Sequence, residues 1–167
     1  MFALTKKTKG REFILVAAVS ILMVMGGSFC GLEEEAVAFY PILAPIFISL
    51  GFDAIIVVGS VFLAGSIGSA FSTINPFSVI IASNSAGIKF TEGIGWRVAG
   101  AVVGAIVVIA YLYRYAKKIK KDPSASIAYE DREKFNAQWQ LDTAEEDIRS
   151  FDPVSYTHLR AHETKAN

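Results

Sequence analysis

Charge is missing from the middle of this chain: residues 54–88 contain no Lys, Arg, Asp, Glu or His. A water-facing domain carries polar groups at every turn of its surface, so this absence excludes an ordinary soluble fold for that stretch. Cysteine is nearly lacking too. Cys30 stands alone, which excludes an internal disulfide and reads as a small buried hydrophobe. Histidine occurs twice, as His158 and His162, and no zinc or haem spacing exists. Without a Ser/His/Asp or metal set, the chain is expected not to be an enzyme. Positive and negative charges balance, so no overall field points to nucleic acid.

What the chain does have is apolar length: 53% of its residues are hydrophobic. Residues 13–32 are uncharged and long enough to cross a hydrocarbon core of about 30 Å. The run is too long for a secretory signal and leads into further apolar segments, so a multi-span membrane protein, or a piece of one, is expected. Glu33-Glu34-Glu35 follows. Residues 36–52 form a shorter apolar stretch broken by Pro41 and Pro45, and Asp53 separates it from the uncharged 54–88.

That third stretch is too long for one straight helix and short for two. Its middle reads Ser72-Thr73-Ile74-Asn75-Pro76. Pro76 lacks an N–H, and a residue before proline is pushed out of the helical region. Backbone groups freed inside a membrane are tolerated only within protein or beside water. Two half-helices meeting at such a break are a common way to build a transporter's site. The side-chain oxygens of Ser72, Thr73 and Asn75 are candidate ligands for a small cation or polar solute. The half-helix beginning near Phe77 is expected to turn its positive end toward a bound carboxylate. Ser83-Asn84-Ser85 fits helix–helix hydrogen bonding, and Gly59, Ala64, Gly65, Ser66, Gly68, Ser69, Gly100 and Gly104 fit close helix packing.

The three glutamates admit two readings. They form a solvated outer loop, or they sit at the tip of a re-entrant hairpin near mid-membrane. An acidic residue at the bilayer centre costs about 3 kcal/mol and an apolar one returns only about 0.5 kcal/mol. Glutamates at that depth must therefore face water, face a cation or be protonated, which makes a cation or proton site.

Organisation follows from the flanks. Lys6, Lys7, Lys9 and Arg11 precede the first span, and Arg114, Lys117, Lys118, Lys120 and Lys121 follow the last. Basic flanks prefer the cytoplasm, so an even number of crossings is expected between them. The expected division is a basic cytoplasmic lead-in (1–12) and a transmembrane half-domain (13–116), followed by a cytoplasmic polar connector (117–152). The half-domain comprises a hairpin (13–52), a broken helix (54–88) and a last helix (96–116). Trp96 and the tyrosines 111, 113 and 115 suit the two interfaces. A short amphipathic helix is expected near 130–139. Residues 153–167 read as a non-native tail, because 154–164 match one translated frame of a sequencing-library adapter; His158 and His162 fall with it.

Three segments together resemble a known family: Gly31-Leu-Glu-Glu-Glu-Ala-Val-Ala-Phe-Tyr-Pro-Ile-Leu-Ala-Pro45, Ser72-Thr-Ile-Asn-Pro-Phe77, and Arg114-Tyr-Ala-Lys-Lys-Ile-Lys-Lys-Asp-Pro-Ser124. In this order they resemble the YfcC-like carriers of the anaerobic dicarboxylate carrier family, which also includes arginine–ornithine exchangers. The resemblance covers roughly residues 7–131. It implies the ion-transporter superfamily, in which each of two inverted halves supplies a re-entrant hairpin and a broken helix, with substrate between their tips. It implies a hairpin tip at Glu34 and Glu35, and a broken-helix loop at Ser72, Thr73, Asn75 and Pro76.

The fold expected is therefore an all-α membrane bundle, one half of an inverted-repeat transporter. The function expected is that of a fragment of a secondary carrier, moving an amino acid or dicarboxylate across the cytoplasmic membrane by cation coupling or exchange. A coupling sodium (at Ser72, Thr73 and Asn75) or proton takes the place of a cofactor. The expected partners are a small organic solute, the lipid bilayer, the missing second half and, in the full-length parent, a second copy. The alternative is a small membrane structural or interaction protein with its glutamates in an outer loop.

Overall fold

The computed structural model describes residues 12–139, and these are helical with no strand among them. The basic lead-in up to Arg11, the last part of the expected connector and the expected tail with its two histidines lie outside the described residues.

Helix α1 (Glu12–Cys30) uses the first uncharged run. It stops where Gly31 takes φ 74°, a left-handed conformation that suits glycine. A 3-10 turn (Glu35–Phe39) then leads into α2 (Tyr40–Ser49). Pro41 falls in the first turn of α2, where a missing N–H costs little. Helix α3 (Ala54–Ala70) begins at Asp53, whose carboxylate accepts from the Ile56 N–H at 3.1 Å and caps it. Within α3, Gly59–Leu63 is π-helical. Residues 71–75 are not helical. Helix α4 (76–86) opens with a π turn, Pro76–Ile80, and continues as Ile81–Ala86. Helix α5 (Ile94–Lys121) is the longest at 28 residues. A turn at Pro123–Ala125 and α6 (Arg132–Trp139) complete the described chain.

Helix α5 outruns the expected 96–116 at both ends. Its last turn runs through Lys118, Lys120 and Lys121, because lysine is a good helix former and cations favour a helix C-terminus. The connector thus leaves the helix only at Asp122. It is also less detached than expected: Phe135 and Trp139 of α6 pack against the bundle's apolar core.

That core centres on Val16, Met23, Phe47, Ile56, Val61 and Leu112. Helices α1 and α3 approach most closely. A Cβ on Gly68 would stand 2.1 Å from the Val24 carbonyl oxygen, and one on Gly27 would stand 2.3 Å from that of Gly65. Helix α5 lies antiparallel to α3, with Gly59 against Leu112, Gly104 against Ile67 and Gly100 against the Phe71 ring. Glu12 and Lys120 form an ion pair, and the Lys120 Nζ stands 4.6 Å from the centre of the Phe52 ring. The start of α1, the loop after α2 and the end of α5 therefore share one end of the bundle, which will be called the foot. The chain rises in α1 and returns in α2 to the end it left.

Helices α1 and α5 are long and apolar enough to cross a membrane; residues Glu35–Ser49 and Ala54–Ala70 form shorter apolar helices. Val102, Val103, Ile106 and Val107 stand exposed on α5, as suits a lipid-facing surface. Cys30 is exposed, not buried as its apolar surroundings suggested. The buried positions of α1 recur at 16, 19–20, 23–24 and 27–28, and residue 30 falls off that stripe.

Candidate functional site

The segments after α1 and after α3 close a site at the end of the bundle away from the foot. The first is the tip after α1, residues 31–35. Here Glu33 Oε1 accepts from the Ser66 hydroxyl at 2.9 Å, which ties the tip to α3. Glu34 and Glu35 open the 3-10 turn and are exposed. Gly31 lies against the Asn75 amide, where a Cβ would come within 2.6 Å of Nδ2. The tip and the break can meet only because residue 31 has no side chain.

The second segment is the break itself. Asn75 takes φ −54° and ψ 120°, as a residue before proline must. Its Oδ1 accepts from the Phe77 N–H at 2.9 Å, and its carbonyl oxygen accepts from Val79 N–H at 3.0 Å. The side chain thus restarts the helix that the proline interrupts. Its Nδ2 donates to Ser72 Oγ at 3.4 Å, while the Ser72 hydroxyl donates to the Ser69 carbonyl. Thr73 turns toward α1: its N–H donates to the Ser28 carbonyl at 3.1 Å, and the two hydroxyl oxygens are 3.0 Å apart.

Between tip and break lies a pocket of about 680 Å³. Glu33, Glu34 and Glu35 line it from the tip, Ser66 and Ser69 from α3, and Asn75 and Ser78 from the break and the helix after it. Ser69 Oγ is buried on this wall without a hydrogen-bond partner among the described residues. Among the described residues, no Lys or Arg stands on the lining. No group of three or more His, Cys, Asp or Glu among the described residues has metal-holding geometry.

Of the candidate residues, Glu34, Glu35 and Asn75 come together on this lining. Ser72 and Thr73 are buried, at 3% and 6% exposure, and bond internally rather than facing the pocket. Pro76 is exposed and shapes the break without lining the pocket. In the half-helix expected to turn its positive end toward a bound carboxylate, the Phe77 amide is held by Asn75. The break also has a defined height along the bundle. It stands level with Gly100, which the rise of α5 puts about 21 Å from Arg114 and about 5 Å from Arg97. The reason is the length of α3: from its cap at the foot it climbs about 25 Å before ending.

Sequence reasoning passed over Ser66, Ser69 and Ser78, and placed Glu33 only in the general acidic run. Ser66 and Ser69 had been grouped with small packing residues; their signal was the three-residue spacing that puts both on one helix face. It also read Asp53 only as a divider, although a lone carboxylate between two apolar stretches needs partners. Asp53 is 8% exposed and bonds Tyr115 and Ser126 at the foot.

The arrangement offers carboxylate, amide and hydroxyl oxygens around a space sized for a small organic solute. Comparison with known proteins agrees with a carrier. A Haemophilus influenzae protein called only "Uncharacterized protein" is 62% identical over 153 residues, 92% of this chain and 28% of its own length. An Escherichia coli protein, "Putative basic amino acid antiporter YfcC", is 36% identical over 142 residues, 85% of this chain and 28% of its own. The chain thus spans little more than a quarter of these relatives. No solved structure matches it. The family described as C4-dicarboxylate anaerobic carrier, DcuC, matches residues 1–163. By that match over nearly its whole length, the chain belongs to the C4-dicarboxylate anaerobic carrier family.

Proposed function

We infer that this chain is the solute-gripping part of a secondary carrier in the cytoplasmic membrane, and that the pocket between the glutamate tip and the Asn75 break takes a cationic amino acid. The observation that carries this reading is the lining: three glutamates and, among the described residues, no Lys or Arg. A dicarboxylate would bring two negative charges to three carboxylates, and like charges disfavour one another most where water is scarce. A guanidinium or ammonium group finds complementary charge there, and guanidinium can bond a carboxylate in two places. The name of the Escherichia coli relative supports the same class.

The tip is then the end of the helical hairpin α1–α2, and its glutamates sit beside a break level with Gly100, about one turn of α5 from Arg97. Transport proceeds by exchange or by coupling to a proton or sodium, with the basic ends of the chain in the cytoplasm. The second, inverted half of the carrier completes the site from the other side.

The test uses the full-length protein in proteoliposomes and labelled arginine and succinate. Arginine uptake that lysine competes away and succinate does not is the expected result. Succinate uptake with no arginine uptake would overturn the charge assignment.

A further inference from the structure

At the foot, far from the pocket, one carboxylate gathers three segments. Asp53 uses its two oxygens differently. Oδ1 accepts from Ile56 N–H at 3.1 Å and caps α3. Oδ2 accepts from the Tyr115 hydroxyl at 2.6 Å and the Ser126 hydroxyl at 2.5 Å. The Tyr115 oxygen in turn accepts from Ile127 N–H at 3.1 Å, and the Ser126 oxygen from Ala128 N–H at 3.2 Å. Residues 126–128 belong to the connector, to which the solute site gives no task.

Capping explains only half of this. Serine, threonine or asparagine would cap a helix as well. A carboxylate enclosed to this degree is unfavourable unless donors meet its lone pairs, and here the donors come from α5 and from the connector beyond it. Further along, Phe135 and Trp139 of α6 pack against the core, and α6 lies beside α2. The connector is therefore fastened at two places, by hydrogen bonds at Asp53 and by aromatic packing at α6.

We propose that Asp53 is a latch that fastens residues 123–139 across the foot of the bundle, making the connector a brace between the hairpin helix α2, the broken helix α3 and α5. The brace keeps the bases of hairpin and broken helix side by side, so both rise toward the pocket from a common footing. This inference stands on the foot alone and is independent of which solute the pocket takes.

Hydrogen exchange read by mass spectrometry on the full-length protein in detergent micelles tests it. Tyr115→Phe removes the hydroxyl while leaving the ring stacked on Tyr111, 6.2 Å away. Ser126→Ala removes the other donor, and Asp53→Asn keeps a good cap while disturbing Oδ2. In each variant, peptides covering 126–139 should exchange about fivefold faster or more, as loss of one or two buried hydrogen bonds implies. Exchange in the middle of α5 should stay as it was. Unchanged exchange of 126–139 in both Tyr115→Phe and Ser126→Ala would overturn the latch. So would an equal loss of protection throughout α3 and α5, since the connector would then be one part of a single cooperative core.

Discussion

The amide of Thr73 donates to the carbonyl of Ser28 across 3.1 Å, and the hydroxyls of the same two residues are 3.0 Å apart. One residue lies in the break, the other in the last full turn of α1. A break that frees backbone groups thus finds their partners on the neighbouring helix, as a membrane interior requires. The pairing also explains why Ser72 and Thr73 do not face the pocket: they hold the break in place while Asn75 and the glutamates line the space.

Thr73→Val keeps the shape of the side chain and removes its hydroxyl. Ser28 Oγ is left with only the Phe71 carbonyl, at 3.5 Å. A stability loss of about 1 kcal/mol is expected, the usual net worth of a buried hydrogen bond. Denaturant unfolding in micelles measures it. A variant as stable as the parent would show that the backbone bond alone holds the break.

Gly68→Ala should be far more damaging. The added methyl would meet the Val24 carbonyl at 2.1 Å, which is backbone and cannot rotate aside. Helices α1 and α3 must then separate, at a cost of about 1–3 kcal/mol or more. Gly95→Ala is the control, since nothing lies within 4 Å of that position. Comparing the two unfolding midpoints separates close packing from helix propensity.

Glu35→Gln and Asn75→Ala, each made in the full-length carrier, should abolish uptake without loss of membrane insertion. Asn75→Ala also removes the cap of α4, worth about 1 kcal/mol, so expression must be checked beside transport. Ser66→Ala should weaken uptake less, because it frees Glu33 without deleting a carboxylate. Normal uptake in both Glu35→Gln and Asn75→Ala would remove the pocket from the transport cycle.

Much of the helical order was legible because it rests on local chemistry. Pro76 keeps Asn75 out of the helical region and opens α4 at its first residue, and Gly31 ends α1 by taking a left-handed φ. The end of α5 was misjudged because a lysine run looks like a flank, yet lysine continues a helix readily. The pocket was legible only in outline. That a glutamate tip and an Asn-Pro break are candidates for a site follows from the cost of polar groups in lipid. That Ser66 bonds Glu33, or that Asn75 packs on Gly31, depends on distances across the fold. Asp53 shows the limit most clearly: its partners lie 62 and 73 residues further along the chain, and no periodicity connects them.

The π-helical stretches Gly59–Leu63 and Pro76–Ile80 lie on either side of the break. Each wider turn takes up one residue more than an α-helix would. Wound as α-helix at unchanged length, Gly59–Leu63 would leave α3 equally oily and just as able to span, yet it would swing Ser66 and Ser69 by about 100° around the axis, away from the glutamates they now face. Excising one residue from that turn would bring both serines back. The chemistry of the cleft is thereby set by winding number as much as by residue type.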